Sequence, residues 1–198
     1  MNVNLSWETN TLNTLVLEDQ LLPNAYNIRV HFVTNTTNTQ EQKIVFDRVK
    51  LILETQFNFS CIASYDSPSF NVLKDHFSQS ICQIGSEASD LIIGAILFRK
   101  IHKIVDKKLI LNGLEISSQL GGMVGYTLTG EDFIQESTIH PWTTGVPWWE
   151  RNDPSINDLQ DDKINEISWK DMEMELPSDA VIVKKFTPTV IEGGKDEK

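Results

Sequence analysis

The sequence predicts an α+β fold, with a mixed sheet of about five strands around a central buried helix and an extended acidic C-terminal tail. Some segments alternate strictly between apolar and polar residues or form short apolar runs, which indicates strands. Others have apolar residues at helical spacing, which indicates helices, and the two kinds of segment follow one another along the chain. One helical segment is apolar almost all round in its first half, as a buried helix is. The 198 residues, of which 40% are hydrophobic and 23% charged, fit one soluble domain with extensions.

The first part of the chain predicts an arm, a strand, a helix and a second strand. Residues 1–25 are rich in Asn, Thr and Leu without a clean period, which predicts an N-terminal arm. Residues 26–33 alternate strictly between apolar and polar and predict a strand. Residues 40–55 have apolar side chains near helical spacing, with Thr39 as a candidate cap. Residues 57–63 predict a short buried strand.

The middle of the chain predicts two helices and a strand between them. A short helix is expected at 70–77 and a strand at 80–84. Residues 85–90 supply capping side chains and early acids, which favour a helix start, and this helix should run to about residue 105. It is the expected central helix, and Gly94 within it should permit close packing.

A β-hairpin should complete a core domain at residues 26–130. Strands are expected at 108–118 and 123–129, joined across Gly121 and Gly122. The glycines at 121–125 are superficially like a phosphate loop. They lie between two strands, however, and lack the Gly-Lys-Ser/Thr ending, so a hairpin turn is the better interpretation.

The segment at 140–149 contains three of the five tryptophans and lies within a strap that we define as residues 131–154. Its prolines and glycine exclude a regular helix or a central strand. Trp142, Trp148 and Trp149 either cover one face of the sheet or anchor a protein partner. The sequence leaves both interpretations open.

The tail, residues 155–198, and the strap hold most of the acidity. Residues 1–130 contain 12 acids and 10 bases, a net charge of −2, whereas residues 131–198 contain 16 acids and 7 bases, a net charge of −9. This balance disfavours a nucleic-acid partner, because phosphate contacts need clustered cations. Residues 171–176 alternate acids with Met172, Met174 and Leu176, which predicts an edge strand that could add to a partner's sheet.

A basic patch marks the end of the predicted central helix. Its bases can complement the negative helix terminus as a solvated end, or bind a phosphate or an acidic partner. A third hypothesis places the acidic tail against this basic patch, in the same subunit or a neighbouring one. The patch consists of Arg99, Lys100, Lys103, Lys107 and Lys108.

No catalytic residue, metal ligand set or cofactor site is predicted. The four histidines show no metal-ligand spacing, and G-x-S-x-G is absent. Cys61 and Cys82 lack CxxC spacing, so buried free thiols in a reducing compartment are expected. The longest apolar run is too short to span a bilayer and the start lacks signal-peptide features, which predicts a cytoplasmic protein without membrane contact.

Five blocks of the chain carry a resemblance to known proteins: IIGAILFRKI at 92–101, LEISSQLG at 114–121, VGY at 124–126, PWW at 147–149 and NDP at 152–154. In these blocks the chain resembles a group of small proteins from contractile-tailed bacteriophages that infect cyanobacteria. The resemblance covers roughly residues 46–154 in order and spacing. It implies a phage origin and expression in the host cytoplasm, or presence in the virion, but the group has no assigned activity and transfers no site residues.

Two functional hypotheses follow. The first is a non-enzymatic, phage-type accessory protein that binds a protein partner, either a virion assembly component or host or phage machinery, or that self-associates. Its partner-binding residues would be Trp142, Trp148, Trp149, Met172, Met174 and Leu176. The alternative is a small enzyme or nucleotide-binding anti-defence protein with a pocket near Gly121–Gly125.

Overall fold

A six-stranded mixed sheet organises the fold, in the strand order β4-β3-β1-β2-β5-β6. The computed structural model describes residues 3–17, 20–77, 81–85, 88–130, 146–158 and 168–177, with the backbone alone at residues 76 and 77. Strand β3 runs parallel to both of its neighbours, and the other pairs are antiparallel. The predicted α+β class with a mixed sheet is confirmed.

The two longest strands form a hairpin that the sequence pattern did not predict. Strand β1 (Asn4–Leu17) pairs with β2 (Gln20–Thr34) along its whole length. The predicted irregular arm at 1–25 is therefore wrong, and the strand predicted at 26–33 is the second half of β2. The first half of β1 is mostly exposed, so it lacks the apolar alternation by which strands are identified.

The other four strands lie where strands were predicted, with shifted boundaries. They are β3 (Cys61–Ser64), β4 (Ile81–Ile84), β5 (Leu109–Ser118) and β6 (Tyr126–Thr129). Strand β3 starts late because the preceding helix continues to residue 57.

That preceding helix has two parts with different hydrogen bonding. Helix α1 (Thr39–Lys50) is capped by Asn38, whose side chain accepts from the N–H groups of the next turn, rather than by Thr39. It continues as a π-helical segment, Leu51–Phe57, whose wider turns bury Phe57. The apolar run at 57–63 therefore ends a helix and begins a strand, which periodicity could not separate.

Helix α3 (Asp90–Ile104) packs closely on the sheet, and a short helix α2 (Phe70–Phe77) precedes β4. A Cβ placed on Gly94 would lie 2.7 Å from Ile116 Cγ2 and 2.8 Å from Leu128 Cδ1, so glycine lets α3 approach β5 and β6. This confirms the packing role predicted for Gly94. The buried residues of α3 are Ile92, Ile93, Gly94, Ala95, Ile96, Leu97, Phe98, Lys100, Ile101 and Ile104.

Two segments beyond residue 130 pack against the main core. Trp148–Glu150 forms one 3₁₀ turn, and the rings of Trp148 and Trp149 meet edge to face at 5.6 Å. The main core extends from Leu15 to Trp169 and includes both of those rings. The core is thus completed by side chains from outside the region predicted as the core domain.

The edge strand predicted at 171–176 is wrong. Residues 168–173 form turns in which Asp171 N donates to Ser168 O and Met174 N donates to Trp169 O. Ser168 also hydrogen-bonds the Asp171 carboxylate, and this local pairing competes with an extended ladder. Glu173 has a φ of 57°, which breaks extended geometry.

Candidate functional site

The strap tryptophans that the structure describes serve the chain's own core. Trp148 and Trp149 are fully buried, and the indole N–H of Trp148 donates to Gln83 O at 2.7 Å. Such rings cannot anchor a partner while this fold is intact. Trp142, the third predicted anchor, lies outside the described residues.

The apolar residues predicted to add to a partner's sheet also pack on this chain. Met172, Met174 and Leu176 are partly buried against the main core. Arg48 fixes their segment, since its guanidinium donates twice to Met174 O, at 2.9 and 2.7 Å, and lies 4.7 Å from the centre of the Trp169 ring. The alternation of acidic and apolar residues at 171–176 therefore reflects a segment whose apolar side chains pack on the core while its acidic side chains are exposed.

The basic patch on α3 is covered in part by the end of the strap. Arg99 and Lys103 both contact the Glu150 carboxylate, at 3.0 and 2.9 Å. Lys108 pairs with Glu41 at 3.4 Å, and Lys107 is exposed. The acidic residues that contact the basic patch come from the strap and α1, whereas most of the tail lies outside the described residues.

Lys100 contradicts the prediction of a solvated helix end. Its side chain is fully buried, and its ammonium donates to Trp148 O at 2.9 Å, Arg151 O at 3.1 Å and Asp153 Oδ1 at 3.2 Å. Burial lowers the pKa of Lys100 to about 8, although the Asp153 carboxylate opposes that shift. Burial alone would raise the pKa of Asp153, but Lys100, Ser155 and Arg151 outweigh it and lower that pKa.

The turn between β5 and β6 uses its own N–H groups internally. Leu120 N donates to Asn24 Oδ1 at 3.0 Å, and Gly121 N donates to Ser118 Oγ at 3.0 Å. The N–H groups of residues 122–124 donate to carbonyls within 118–121. A phosphate-binding loop needs such N–H groups free to bind the phosphate. Because these are bonded within the chain, the geometry supports the predicted hairpin turn and disfavours a phosphate loop.

Beneath this turn lies a group of buried polar side chains. The Asn24 side chain hydrogen-bonds the Tyr26 phenol, whereas Asp90 Oδ2 is buried and has no hydrogen-bond partner within the part of the chain that the structure describes. Asn24 and Tyr26 are only 2% and 1% exposed. A Cβ on Gly121 would overlap Asp90 Oδ2, so the carboxylate lies directly under the turn. We call these three residues, with Gly121 and Ser118, the turn site.

The electrostatics of Tyr26 show that these three groups are near one another. Burial raises the pKa of the Tyr26 phenol, a hydrogen bond from the Asn24 side chain lowers it, and the nearby Asp90 carboxylate raises it further. The phenol is therefore protonated at neutral pH and can both donate and accept a hydrogen bond. Cys82 is a buried free thiol whose pKa is raised by burial, so it is no nucleophile.

The rim of the turn site is apolar and exposed. Leu120, Met123 and Val124 are each more than half exposed, and Tyr126 follows them at the start of β6. Gly122 and Met123 both have positive φ, at 66° and 60°. A left-handed methionine is unusual, and such strained positions cluster at binding sites.

A second polar cluster, on the open face of the sheet, satisfies itself. Arg29 pairs with Glu8 at 2.6 Å and with Glu115 at 3.5 Å, and His31 Nε2 lies 2.9 Å from Glu115 Oε1. These side chains are about one-third to one-half exposed and use one another as partners across three strands. The cluster is a cross-strand ladder on the solvated face of an antiparallel sheet.

The predicted pocket near Gly121–Gly125 did not include the residues of the turn site on β2 and α3. Tyr26 was assigned to the apolar face of a strand, and Asp90 to a helix start. A tyrosine in a buried register was the available signal, because its hydroxyl needs a partner once the ring is buried. The partner could not be read from sequence, since α3 and β2 meet only in the folded chain.

Neither a metal centre nor a membrane segment is seen in the described ranges. Among those residues no three His, Cys, Asp or Glu side chains are grouped so that they could hold a metal ion. No helix in them is long and apolar enough to cross a bilayer.

Comparison with known proteins gives only distant structural likeness. No family model and no curated protein matches the chain. An uncharacterised protein from Wolinella succinogenes has a similar structure, with a TM-score of 0.49 and 10% identity over 66% of this chain and 99% of that chain. A 6-pyruvoyltetrahydropterin synthase from Plasmodium vivax gives a TM-score of 0.45 and 14% identity over 65% and 97%. Likeness this distant carries no functional conclusion.

Proposed function

We propose that this protein binds a small organic molecule at the turn site. The observation that carries the proposal is Asp90 Oδ2, a buried carboxylate oxygen that has no hydrogen-bond partner in the described structure and lies near the buried Asn24–Tyr26 pair. A buried group left without a hydrogen bond costs about 1–3 kcal/mol. A ligand that donates to this oxygen would recover that free energy on binding.

The surroundings of these atoms favour an organic ligand. The exposed apolar rim of Leu120, Met123 and Val124 offers contact to an apolar portion of the ligand. Binding sites commonly combine apolar walls with a few placed polar groups in this way. The proposal retains the location of the enzyme or nucleotide-binding alternative, near Gly121–Gly125, but includes no phosphate-binding position.

A thermal-shift screen of metabolites and fragments tests the proposal. A ligand that binds only the folded state at about 100 times its Kd stabilises it by about 2.7 kcal/mol, so the midpoint of unfolding rises. We expect at least one compound to raise the midpoint for the natural sequence and to lose that effect in Asp90→Asn. The matched control is Asp47→Asn, a partly exposed carboxylate on α1 that pairs with Lys43, and this variant should keep the effect. A screen in which no compound discriminates the two variants contradicts the proposal.

A second candidate function is the capture of a protein partner by a phage-type accessory protein. Its anchor would have to differ from the sequence prediction, because Trp148 and Trp149 are buried. The observation that favours it is a row of exposed carboxylates, Asp171, Glu173 and Glu175, on a segment that Arg48 fixes in place. A rigid acidic row suits a basic protein surface.

Removal of these charges tests the second candidate. We expect the natural sequence to capture a partner from lysate of phage-infected cells and the variant D171N/E173Q/E175Q to capture less of it at low salt. Equal capture by both proteins would exclude the acidic row as the binding surface.

A further inference from the structure

We propose that two copies of this protein pair through the outer edge of strand β1, antiparallel to each other and with Trp7 on the two-fold axis. The proposal goes beyond ligand binding at the turn site, because it concerns a different surface. Three features of β1 support it: the direction of its backbone groups, the side chains at its edge and the register that these allow.

Alternate residues of β1 present their backbone groups away from β2. Thr14 N donates to Ser60 O at 3.0 Å, on the side where β3 lies, whereas Val3 O accepts from Thr34 N of β2. These directions alternate along a strand that pairs antiparallel with its neighbour. The even-numbered residues of β1 therefore present N–H and C=O at the edge away from β2, which we call the β1 edge.

Strand β3 covers only one end of the β1 edge. It pairs with Thr14 and Leu15, and Leu12 next to them bonds to Asn58 Oδ1 and Phe59 N. Nearer the start of β1, the edge N–H and C=O groups have no hydrogen-bond partner within the described ranges, and their residues are exposed, so another strand can reach them. These residues are Asn4, Ser6, Glu8 and Asn10.

The β1 edge lacks the features that usually keep strand edges from pairing. Lysine, proline, a bulge or a very short strand commonly protects such an edge. Strand β1 has 14 residues, contains neither lysine nor proline, and pairs with β2 in an unbroken register. The carboxylate of Glu8 already pairs with Arg29 at 2.6 Å on the open face of the sheet. A second strand can therefore add to this edge by main-chain hydrogen bonds.

In the register that places Trp7 opposite Trp7, the β1 edge is complementary to itself. Asn4 then lies opposite Asn10 of the second copy, and Ser6 opposite Glu8, so every free backbone group gains a partner. In the register shifted by two residues, Glu8 would face the second Glu8, and like charges directly opposite destabilise a strand pair. Charge therefore favours the register centred on Trp7.

Trp7 adds side-chain contact at the centre of this pairing. It is partly buried, and its ring meets that of Phe46 edge to face, with 5.6 Å between the ring centres. The two copies of Trp7 would form a non-hydrogen-bonded pair, in which opposite side chains are closest. Aromatic pairs of this kind stabilise antiparallel strands.

Sedimentation of the full chain and of two Ser6 variants tests the pairing. We expect the natural sequence to be a dimer at about 0.1 mM, where a complex with a Kd of about 10 μM is mostly formed. Ser6→Pro removes an edge N–H from each copy and no hydrogen bond within the chain, so it should fold and weaken the dimer at least about tenfold. Ser6→Ala keeps that N–H and should dimerise as the natural sequence does.

Cysteine cross-linking tests the register, in a Cys61→Ser background in which Cys82 is buried. Trp7→Cys should form a disulfide between copies on mild oxidation, because opposite residues of a non-hydrogen-bonded pair lie within disulfide reach. Thr9→Cys is the control. It lies on the same strand face but about 13 Å from its counterpart in this register, so it should not cross-link.

Amide hydrogen exchange reports on the same edge without any change at Trp7. In the natural sequence the N–H groups of Ser6 and Glu8 should exchange more slowly as the protein concentration rises. Slow exchange of both in a monomer would mean that another part of the same chain covers the edge, which overturns the proposal.

The other contradicting outcomes are equally direct. A natural sequence that stays monomeric at about 0.1 mM overturns the proposal, as does equally tight dimerisation of Ser6→Pro and Ser6→Ala. An assembly of three or more chains, or cross-linking of Thr9→Cys to the extent of Trp7→Cys, excludes the two-fold pairing. None of these results bears on the turn site, which the ligand screen tests separately.

Discussion

At the residue scale, the candidate site is defined by buried polar groups, and not by a sequence motif. Asn24, Tyr26 and Asp90 are each unremarkable in sequence, on a strand or at a helix start. Their importance comes from burial next to Asp90 Oδ2, which has no hydrogen-bond partner in the described structure, a situation that native proteins rarely tolerate. Gly121 belongs to the same site because its missing Cβ leaves room for the Asp90 carboxylate.

Gly121→Ala should therefore damage both the site and the fold. The new methyl group overlaps Asp90 Oδ2, so the carboxylate must rotate or the turn must shift. We expect the free energy of unfolding in urea to fall by about 1–3 kcal/mol and the ligand-dependent rise in the unfolding midpoint to be lost. Gly125→Ala is the control, since nothing lies within 4 Å of its Cβ position. Equal behaviour of the two variants would show that Asp90 is not confined by the turn.

At the scale of secondary-structure elements, the sequence pattern correctly predicted the features that depend on residues close together in the chain. The start of α3, its close packing at Gly94 and the β5–β6 hairpin follow from capping, residue size and turn chemistry. Strand β1 was missed because cross-strand partners on β2, such as Arg29 opposite Glu8, replace apolar burial in its first half. Residues 171–176 alternate as a strand does, but Arg48 and the Ser168 turn hold them against the core instead.

The contact of α3 with the strap predicts an unusual pH dependence. The pKa of Lys100 is lowered in the folded protein, from 10.5 to about 8. Between these values the unfolded chain binds more protons than the folded one, so this residue makes the protein more stable as pH rises. The contribution is flat below about pH 8, where both states are protonated.

Urea unfolding of the natural sequence and Lys100→Met measures this contribution. We expect the difference in unfolding free energy, natural sequence minus variant, to increase by about 2 kcal/mol between about pH 7 and pH 9.5. Lys43→Met, an exposed lysine on α1, should show no such increase. A difference that stays constant, or that decreases with pH, would mean that Lys100 is not held in a desolvated site.

At the scale of the whole molecule, the chain does not divide into a complete core and an appended tail. The main core takes Trp148, Trp149, Ile156 and Trp169 from beyond residue 130. The change in composition beyond residue 130 predicted a separate strap and tail for these residues. Composition could not show that the strap returns to α3, since that contact depends on Lys100 meeting three oxygens of a distant segment.

Truncation tests whether the residues beyond 130 are needed for a stable core. A chain ending at residue 145 loses four buried aromatic or aliphatic side chains, and removal of one large aromatic from a core alone costs about 3–5 kcal/mol. We expect it to lack a cooperative unfolding transition by circular dichroism, whereas a chain ending at residue 177 keeps one. Cooperative unfolding of the shorter chain at an unchanged midpoint would restore the independent core at residues 26–130.

The stability of Asp90→Ala, in protein refolded without ligand, tests the turn site most directly. If Asp90 Oδ2 lacks a partner until a ligand binds, removal of the carboxylate takes away an unsatisfied buried group, and the free energy of unfolding should stay the same or rise by about 1 kcal/mol while ligand binding is lost. If the carboxylate instead supports the fold through a permanent partner, the variant should lose about 1 kcal/mol or more. That loss would contradict a ligand-binding role for this carboxylate.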